Sequence, residues 1–245
     1  MKPDQNKLLS AVKNVLRAVI PIMALQMGSP MAVFAQKAEP VSETDARPNA
    51  MTLSVHGKCD YSVDGVTFIK LEKGHDFEQG AFVRTGEDAR TDLFFRRTGT
   101  TVRLQPGTEI KLEKMTATMK DGLPIEYTLL DLRAGRIFTV VRSKVEGSTL
   151  EIKNAAGRAV VEGSGVGRYI ITADGTHVSA KGSAIPLKVV GESGITIIGA
   201  GQQFAKKDGQ MLAASSSSWV KELIEVDELQ AVTEESVAKA PPPKP

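Results

Sequence analysis

The sequence has little of what would tie it to a metal, a nucleic acid or a membrane. Cys59 is the single cysteine in 245 residues, so an intrachain disulfide and a cysteine-based zinc site are both excluded. Aromatic residues make up 5% of the chain, so a core must consist mainly of Val, Ile and Leu. The formal net charge is only +2, too small to indicate nucleic acid or an anionic membrane surface as the obligatory partner.

Residues 1–35 are predicted to be a cleaved secretory signal peptide. The n-region carries four cationic residues, Lys2, Lys7, Lys13 and Arg17. A short apolar segment at 18–25 follows, and Val-Phe-Ala at 33–35 is a small-x-small cleavage signal. Spanning a bilayer takes about 20 apolar residues, and this segment is shorter. We therefore expect a periplasmic or secreted protein that begins at Gln36; an uncleaved segment acting as a membrane anchor is the alternative.

The region from 51 to 209 carries the pattern of an all-β domain. Residues 36–50 before it are polar and contain two prolines, which predicts a flexible linker. From 51 onward, short runs of alternating apolar and polar residues are separated by turn residues at intervals of about 8–12 residues. This pattern predicts a sandwich or a short β-roll of many short strands, either as one domain or as two β subunits at 51–115 and 126–209.

Turn residues predict where several strands begin and end. Asp64-Gly65 is a strong hairpin signal, and it predicts a returning strand over 66–71. A loop or hairpin tip is predicted at 121–124. Gly135 and Gly201 lie at strand junctions, where we expect special backbone geometry with positive φ.

The last part of the chain changes from strand to helix periodicity. Residues 210–232 are predicted to be a helical segment, because apolar residues recur at helical spacing from Trp219 to Val232 and Ser215–Ser218 offers an N-cap. The amphipathic pattern ends at Val232. Residues 233–245 close with Pro-Pro-Pro-Lys-Pro and are predicted to be a disordered, proline-rich tail.

Short glycine-centred motifs follow one another in a fixed order between 80 and 209. They are Gly-Ala-Phe-Val-Arg-Thr-Gly at 80–86, the strands at 91–96 and 101–104, Leu-Arg-Ala-Gly-Arg-Ile at 132–137, the strand–turn–strand segment at 150–169, and Ile-Gly-Ala-Gly-Gln at 198–202. Together they resemble the FecR-like domain family, named after ferric-citrate sensor regulators. The resemblance implies an extracytoplasmic all-β domain over 51–209 and a role in the cell envelope, including signalling; a membrane-anchored sigma-factor regulator is one alternative.

The sequence shows no set of residues at the spacing of a catalytic or metal-binding motif. His56, His75 and His177 are the only histidines, and none has a second His or Cys at ligand spacing. Gly-Ser-Gly-Val-Gly at 163–167 continues into a predicted strand, whereas a dinucleotide fingerprint needs a helix there. Lys58 would lower the pKa of the Cys59 thiol, but a partly buried, inert thiol is the expected state. We expect no enzyme activity, no cofactor and no metal; a polysaccharide-active enzyme on a β-roll is the alternative.

Arginine is dense between positions 84 and 142. The eight residues are Arg84, Arg90, Arg96, Arg97, Arg103, Arg133, Arg136 and Arg142. Guanidinium binds carboxylate and phosphate, so Arg96, Arg97 and Arg103 are a candidate anionic-ligand face; the alternative is that they protect strand edges from aggregation. The expected function is a non-enzymatic binding or scaffold domain of the cell envelope. Its partner is expected to be an unknown envelope protein or an anionic polymer, with membrane contact only through an uncleaved signal segment.

Overall fold

The computed structural model describes residues 50–120, 123–143, 146–206, 209–213 and 219–239. Within these ranges the chain forms eighteen β-strands and one α-helix, so the predicted all-β class with a C-terminal helix is confirmed. The predicted signal peptide at 1–35, the linker before Ala50, the proposed N-cap at 215–218 and the residues after Lys239 lie outside the described ranges.

The elements follow one another at short intervals along the chain. In order they are β1 (Ala50–His56), β2 (Cys59–Ser62), β3 (Ile69–Lys70), β4 (Asp76–Phe77), β5 (Phe82–Thr85), β6 (Arg90–Phe95), β7 (Thr100–Leu104), β8 (Glu109–Lys120), β9 (Leu123–Ala134), β10 (Arg136–Ser143), β11 (Thr149–Asn154), β12 (Gly157–Glu162), β13 (Gly165–Thr172), β14 (Thr176–Ser179), β15 (Leu187–Gly191), β16 (Gly194–Ile198), β17 (Gln202–Ala205), β18 (Gln210–Ala213) and α1 (Val220–Lys239).

The strands form two nine-stranded sheets. Sheet A has the order β18-β17-β14-β13-β10-β7-β6-β1-β4, and sheet B has the order β16-β15-β12-β11-β9-β8-β5-β2-β3. Pairing is antiparallel except between β9 and β11, which are parallel because the chain leaves sheet B for β10 in sheet A and then returns. Each sheet therefore contains strands from both of the segments 51–115 and 126–209.

One apolar cluster fills the space between the two sheets. It includes Leu71 and Val83 from the first half of the chain and Ile152 and Ile198 from the second, all almost fully buried. The side chains alternate between this core and the outside of each sheet, as strand geometry requires. The two halves thus share one core and pack as a single sandwich instead of as two subunits.

Strand β10 is covered on both faces, which explains its nearly continuous apolar sequence. Ile137 and Val141 belong to the core between the sheets, while Phe138 and Val140 pack under α1 on the outer face of sheet A. A strand buried on both sides needs apolar residues at successive positions, so the alternation seen elsewhere is lost here.

Helix α1 packs on sheet A through residues spaced three and four apart. Val226 and Leu229 are fully buried there, and Trp219, Leu223 and Val232 pack around them. Val220 and Ile224 lie on another side of the helix and are exposed.

The predicted helical segment over 210–232 is wrong at its start, because Gln210–Ala213 forms strand β18. Helix α1 is also longer at its C-terminal end than the apolar periodicity predicts. It continues to Lys239, so residues 233–239, predicted as part of a disordered tail, are helical. Thr233 is fully buried in this extension, and the Thr233 and Ser236 hydroxyls donate to the carbonyls of Leu229 and Val232, each at 2.8 Å. Glu235 and Lys239 form an ion pair one turn apart.

The predicted returning strand over 66–71 is much shorter in the structure. Asp64 Oδ1 accepts hydrogen bonds from the amides of Val66 and Thr67, both at 2.8 Å, so the side chain holds this segment as a loop. Only Ile69–Lys70 forms strand β3. In contrast, the predicted positive φ at Gly135 and Gly201 is confirmed, with φ of 74° at both residues.

Candidate functional site

The three arginines predicted as an anionic-ligand face each lie close to a carboxylate of the same chain. Arg103 is 6% exposed. Its Nε lies 2.7 Å from Asp92 Oδ1, and its Nη2 lies 3.1 Å from Asp92 Oδ2. Arg96 Nη2 is 2.6 Å from Asp76 Oδ1, and Arg97 Nε is 3.9 Å from Glu126 Oε1. Arg103 therefore cannot belong to an exposed face, and the predicted three-residue site is not assembled.

Arg103 is buried because it lies on the outer face of sheet A beneath α1. Asp92 stands directly opposite it on β6, and Ser54 on β1 donates a hydrogen bond of 2.9 Å to the same carboxylate. Burial alone would lower the pKa of Arg103, but hydrogen bonding to Asp92 and the charges of Asp92, Glu225 and Glu228 outweigh it and raise the pKa. The guanidinium is a structural cation held between the sheet and the helix.

The other arginines of this segment follow the same pattern. Three more pair with carboxylates: Arg84 with Asp60, Arg133 with Asp131, and Arg136 with Glu222, each at 3.2 Å. Six of the eight arginines between 84 and 142 are thus within ion-pair distance of an acid in the chain. The dense arginines mainly form ion pairs within the sandwich and, at Arg136, between sheet A and α1.

His177 is fully buried between the sheets. Its Nε2 lies 3.0 Å from Asn154 Nδ2, and the same amide nitrogen donates to the Thr172 carbonyl at 2.9 Å. Because an amide nitrogen only donates, Nε2 accepts and the ring carries its proton on Nδ1. Burial lowers the pKa of His177 to about 4, against the opposing effects of the Gly175 backbone and the Asp174 charge. A neutral His177 thus links Asn154 of sheet B to sheet A.

The remaining single residues singled out in the sequence also occupy structural positions. The His75 ring packs tilted against Tyr61 and edge to face against Phe77, with centroid distances of 3.9 and 4.8 Å. Cys59 is buried, and burial raises the pKa of its thiol to about 11, so it is protonated at neutral pH. In the described part of the chain, groups of three or more His, Cys, Asp or Glu residues suited to a metal are not found.

An open depression of about 470 Å³ lies at one end of sheet A. It is lined by Pro106, Gly135, Arg136, Thr172, Ala173 and Asp174. Hydrogen bonds from the Thr172 hydroxyl and Thr176, opposed by burial, lower the pKa of Asp174, and Arg136 is engaged by Glu222. Glycoside hydrolysis needs two carboxylates across a substrate, whereas this lining supplies one. The depression therefore does not provide the converging acids of the enzyme alternative.

The outer face of sheet B is covered by ion pairs on most of its strands. Cross-strand pairs include Arg84–Asp60 at 3.2 Å, Arg133–Glu109 at 3.8 Å, Arg158–Glu151 at 3.1 Å and Lys188–Glu162 at 3.4 Å. Exposed pairs such as these stabilise a fold by only about 0–1 kcal/mol each. Their main effect is to keep this face charged and hydrated from β2 to β15.

The charged pattern stops at β16, the edge strand of sheet B. Ile195 and Ile197 are 67% and 59% exposed on the outer face, and Val190 beside Ile195 is 41% exposed. Thr196 and Ile198 point the other way, and Ile198 is fully buried in the core. The strand Gly-Ile-Thr-Ile-Ile has no charged side chain, so an apolar strip lies along the rim of a charged face.

The backbone of β16 is also open along this edge. Gly191 and Gly194 are opposite each other around a two-residue tip, which makes them a hydrogen-bonded pair, and alternation extends such pairing to Val189 and Thr196. The backbone groups of Ile195 and Ile197 consequently point away from β15. No backbone hydrogen bond joins these two residues to any other described part of the chain.

The two edges at the opposite end of the sandwich are built differently. Strand β3 in sheet B and strand β4 in sheet A have only two residues each, and they carry Lys70 and Asp76. Short length and charge are devices that prevent a sheet edge from pairing with another strand. Strand β16 has neither device, and β18, which ends sheet A on the same side, presents Leu212 at 46% exposure.

Sequence reasoning missed this edge although one signal for it was present. Isoleucine occupies 195, 197 and 198, so alternation puts isoleucine on both faces of one strand. Only one face of an edge strand in a sandwich can meet the core, and the other must be exposed or covered by a partner.

No helix in the described ranges is long and apolar enough to span a membrane. Comparison of the chain with models of known protein families, with curated proteins and with solved structures found no match.

Proposed function

We propose that this chain is a non-enzymatic binding or scaffold domain of the cell envelope that holds a protein partner along β16. The proposal rests on two features of one edge strand: the side chains of Ile195 and Ile197 are exposed, and their backbone groups bond to no other residue that the structure describes. An extended polypeptide that adds to a sheet edge uses both features, because backbone hydrogen bonds supply affinity and alternate side chains supply specificity.

A protein partner fits the described surface better than the anionic polymer expected from the sequence. Binding of an anionic polymer requires unpaired cations, and the buried Arg103 is committed to Asp92. Strand β16 instead offers branched aliphatic side chains and amide groups, which a polypeptide strand can match. The resemblance to FecR-like domains and the predicted signal peptide support the envelope as the compartment.

Site-specific photo-cross-linking in cells that produce the full chain tests this function. A photoreactive amino acid replaces Ile195 in one variant and Val63 in the control, since Val63 is 78% exposed and lies in the loop after β2. We expect protein adducts from position 195 and none from position 63. The cross-linked chains should begin at Gln36. Absence of adducts at 195, or equal adducts at both positions, would reject the proposed function.

A further inference from the structure

The central Ile-Thr-Ile segment of strand β16 is symmetric about Thr196. Thr196 is the centre of Gly194–Ile198, and Ile195 and Ile197 lie one residue to either side, with their backbone groups on the open edge. A second copy of the strand can therefore pair with it antiparallel around a twofold axis at Thr196. Ile195 of each copy then lies opposite Ile197 of the other copy. Both isoleucines of each copy then form hydrogen-bonded pairs. In this register the open-edge backbone groups of both residues have partners.

We propose that β16 pairs antiparallel with β16 of a second copy of this chain, in the register centred on Thr196. This inference rests on the proposed function and names the partner that the β16 edge holds. Four backbone hydrogen bonds join the two strands, and four isoleucine side chains meet on the outer face, flanked by Val190 of each copy. Sheet B then continues across the axis as one sheet of eighteen strands.

The charges around the strand suit this register. Strand β16 contributes no ionisable side chain, so no like charges face each other across the pair. The register brings Glu192 at the hairpin tip towards the 199–201 turn of the second copy, where Lys181 lies beside Gly201. The twofold axis repeats this approach of acid and base, which favours association and not repulsion.

Sheet A contributes to the same end of the sandwich. It ends at β18, and the twofold axis that joins the β16 edges also turns the two β18 edges towards each other. Exposed Leu212 adds apolar surface there. A contact limited to short edges is smaller than the ~1,200–2,000 Å² of a standard interface, so we expect a dissociation constant that is roughly micromolar or weaker.

The chain's own N-terminal residues suit the edge less well than a second copy. Residues 36–49 are polar and include Pro40 and Pro48, and proline cannot donate a ladder hydrogen bond. They also lack the alternating apolar pattern that would match Ile195 and Ile197.

A single engineered cysteine tests the register in the mature chain. In the proposed dimer the two copies of residue 196 form a non-hydrogen-bonded pair with Cα atoms about 4.5 Å apart, which a disulfide can bridge. Thr196→Cys should therefore form covalent dimers with oxidised glutathione, which is reduced as the two thiols lose their electrons and protons. Ser193→Cys is the control, because its two copies lie roughly 20 Å apart at 3.3 Å per residue. Native Cys59 is buried and does not compete.

We expect Thr196→Cys to form covalent dimers rapidly and Ser193→Cys to form few. Adding Ile195→Lys and Ile197→Lys to the Thr196→Cys variant should abolish its dimer formation, since lysines of the two copies would then face each other. Equal dimer formation by both cysteine variants, or none by Thr196→Cys, overturns the second-copy assignment. If Thr196→Cys fails while photo-cross-linking at position 195 captures a different protein, the binding edge stands and only its occupant is rejected. If both experiments fail, the proposed function is rejected as well.

Discussion

Arg103 on β7 faces Asp92 on β6 and donates two hydrogen bonds to its carboxylate, at 2.7 and 3.1 Å, beneath α1. The pair is nearly inaccessible to solvent, with side chains 7% and 6% exposed. The sequence pattern predicts a ligand-binding role for Arg103, whereas its position gives it a structural one. Removing either partner would leave the other charge buried without its counter-ion.

Arg103→Ala should lower the free energy of unfolding by roughly 3 kcal/mol or more, because it leaves Asp92 unpaired in a buried place. Denaturant unfolding measures this, and the half-buried Arg142→Ala of the same segment is the control, expected to cost under about 1 kcal/mol. The double variant Arg103→Met with Asp92→Leu should recover most of the loss. Unchanged stability of Arg103→Ala would contradict the buried-pair assignment.

His177 should make the fold less stable as the pH falls from about 6.5 to about 4. Its folded-state pKa of about 4 lies below the unfolded value of 6.5, so the unfolded chain binds more protons in this window and stability rises with pH. Neutral His177 makes its full contribution to the free energy of unfolding above pH 6.5, and that contribution is on the order of 3 kcal/mol. The pKa of Asp174 is also lowered, so protonation of Asp174 reduces the stability of the fold further, but only below about pH 4.

Unfolding free energies measured across this window should show a steeper slope for the wild type than for His177→Gln. His56→Gln, which changes an exposed histidine at the end of β1, should keep the wild-type slope. Equal slopes for the wild type and His177→Gln would show that His177 titrates normally in the folded protein.

Gly135 should tolerate a side chain much less well than Gly201, although both have φ of 74°. A Cβ at Gly135 would lie 2.5 Å from Thr108 Oγ1 and 2.6 Å from the Gly107 carbonyl oxygen, whereas at Gly201 its nearest neighbour is Lys181 Cγ at 3.2 Å. We expect Gly201→Ala to cost about 1–2 kcal/mol from backbone strain alone, and Gly135→Ala to cost at least twice as much. Melting temperatures of the two variants provide the comparison, and equal losses would contradict the crowding at Gly135.

Features set by neighbouring residues could be predicted from the sequence. Gly135 lies between two apolar runs, so a strand junction with positive φ follows from local chemistry. The repeated turn residues likewise predict an all-β chain. The apolar period stops at Val232 and predicts the helix end there, whereas α1 continues to Lys239, with Thr233 fully buried and Glu235 paired with Lys239.

Features that depend on distant contacts could not be predicted. The burial of Arg103 requires the register of β6 with β7 and also the packing of α1, more than 100 residues later. The exposure of Ile195 depends on which face of β16 meets the core and on β16 being the last strand of sheet B among the described residues. Alternation defines two faces of a strand, but it does not assign either face to the core when both carry isoleucine.

Amide hydrogen exchange at Ile195, Thr196 and Ile197, followed by NMR over a range of protein concentrations, shows whether β16 is a binding edge. The Thr196 amide faces Val189 and should be protected at every concentration, while the Ile195 and Ile197 amides should exchange rapidly in dilute protein. As the concentration rises, protection should appear at Ile195 and Ile197 together, and it should be absent in the Ile195→Lys, Ile197→Lys variant. Protection of these two amides that is already complete in dilute monomer would mean that the chain covers its own edge and would contradict β16 as the binding edge.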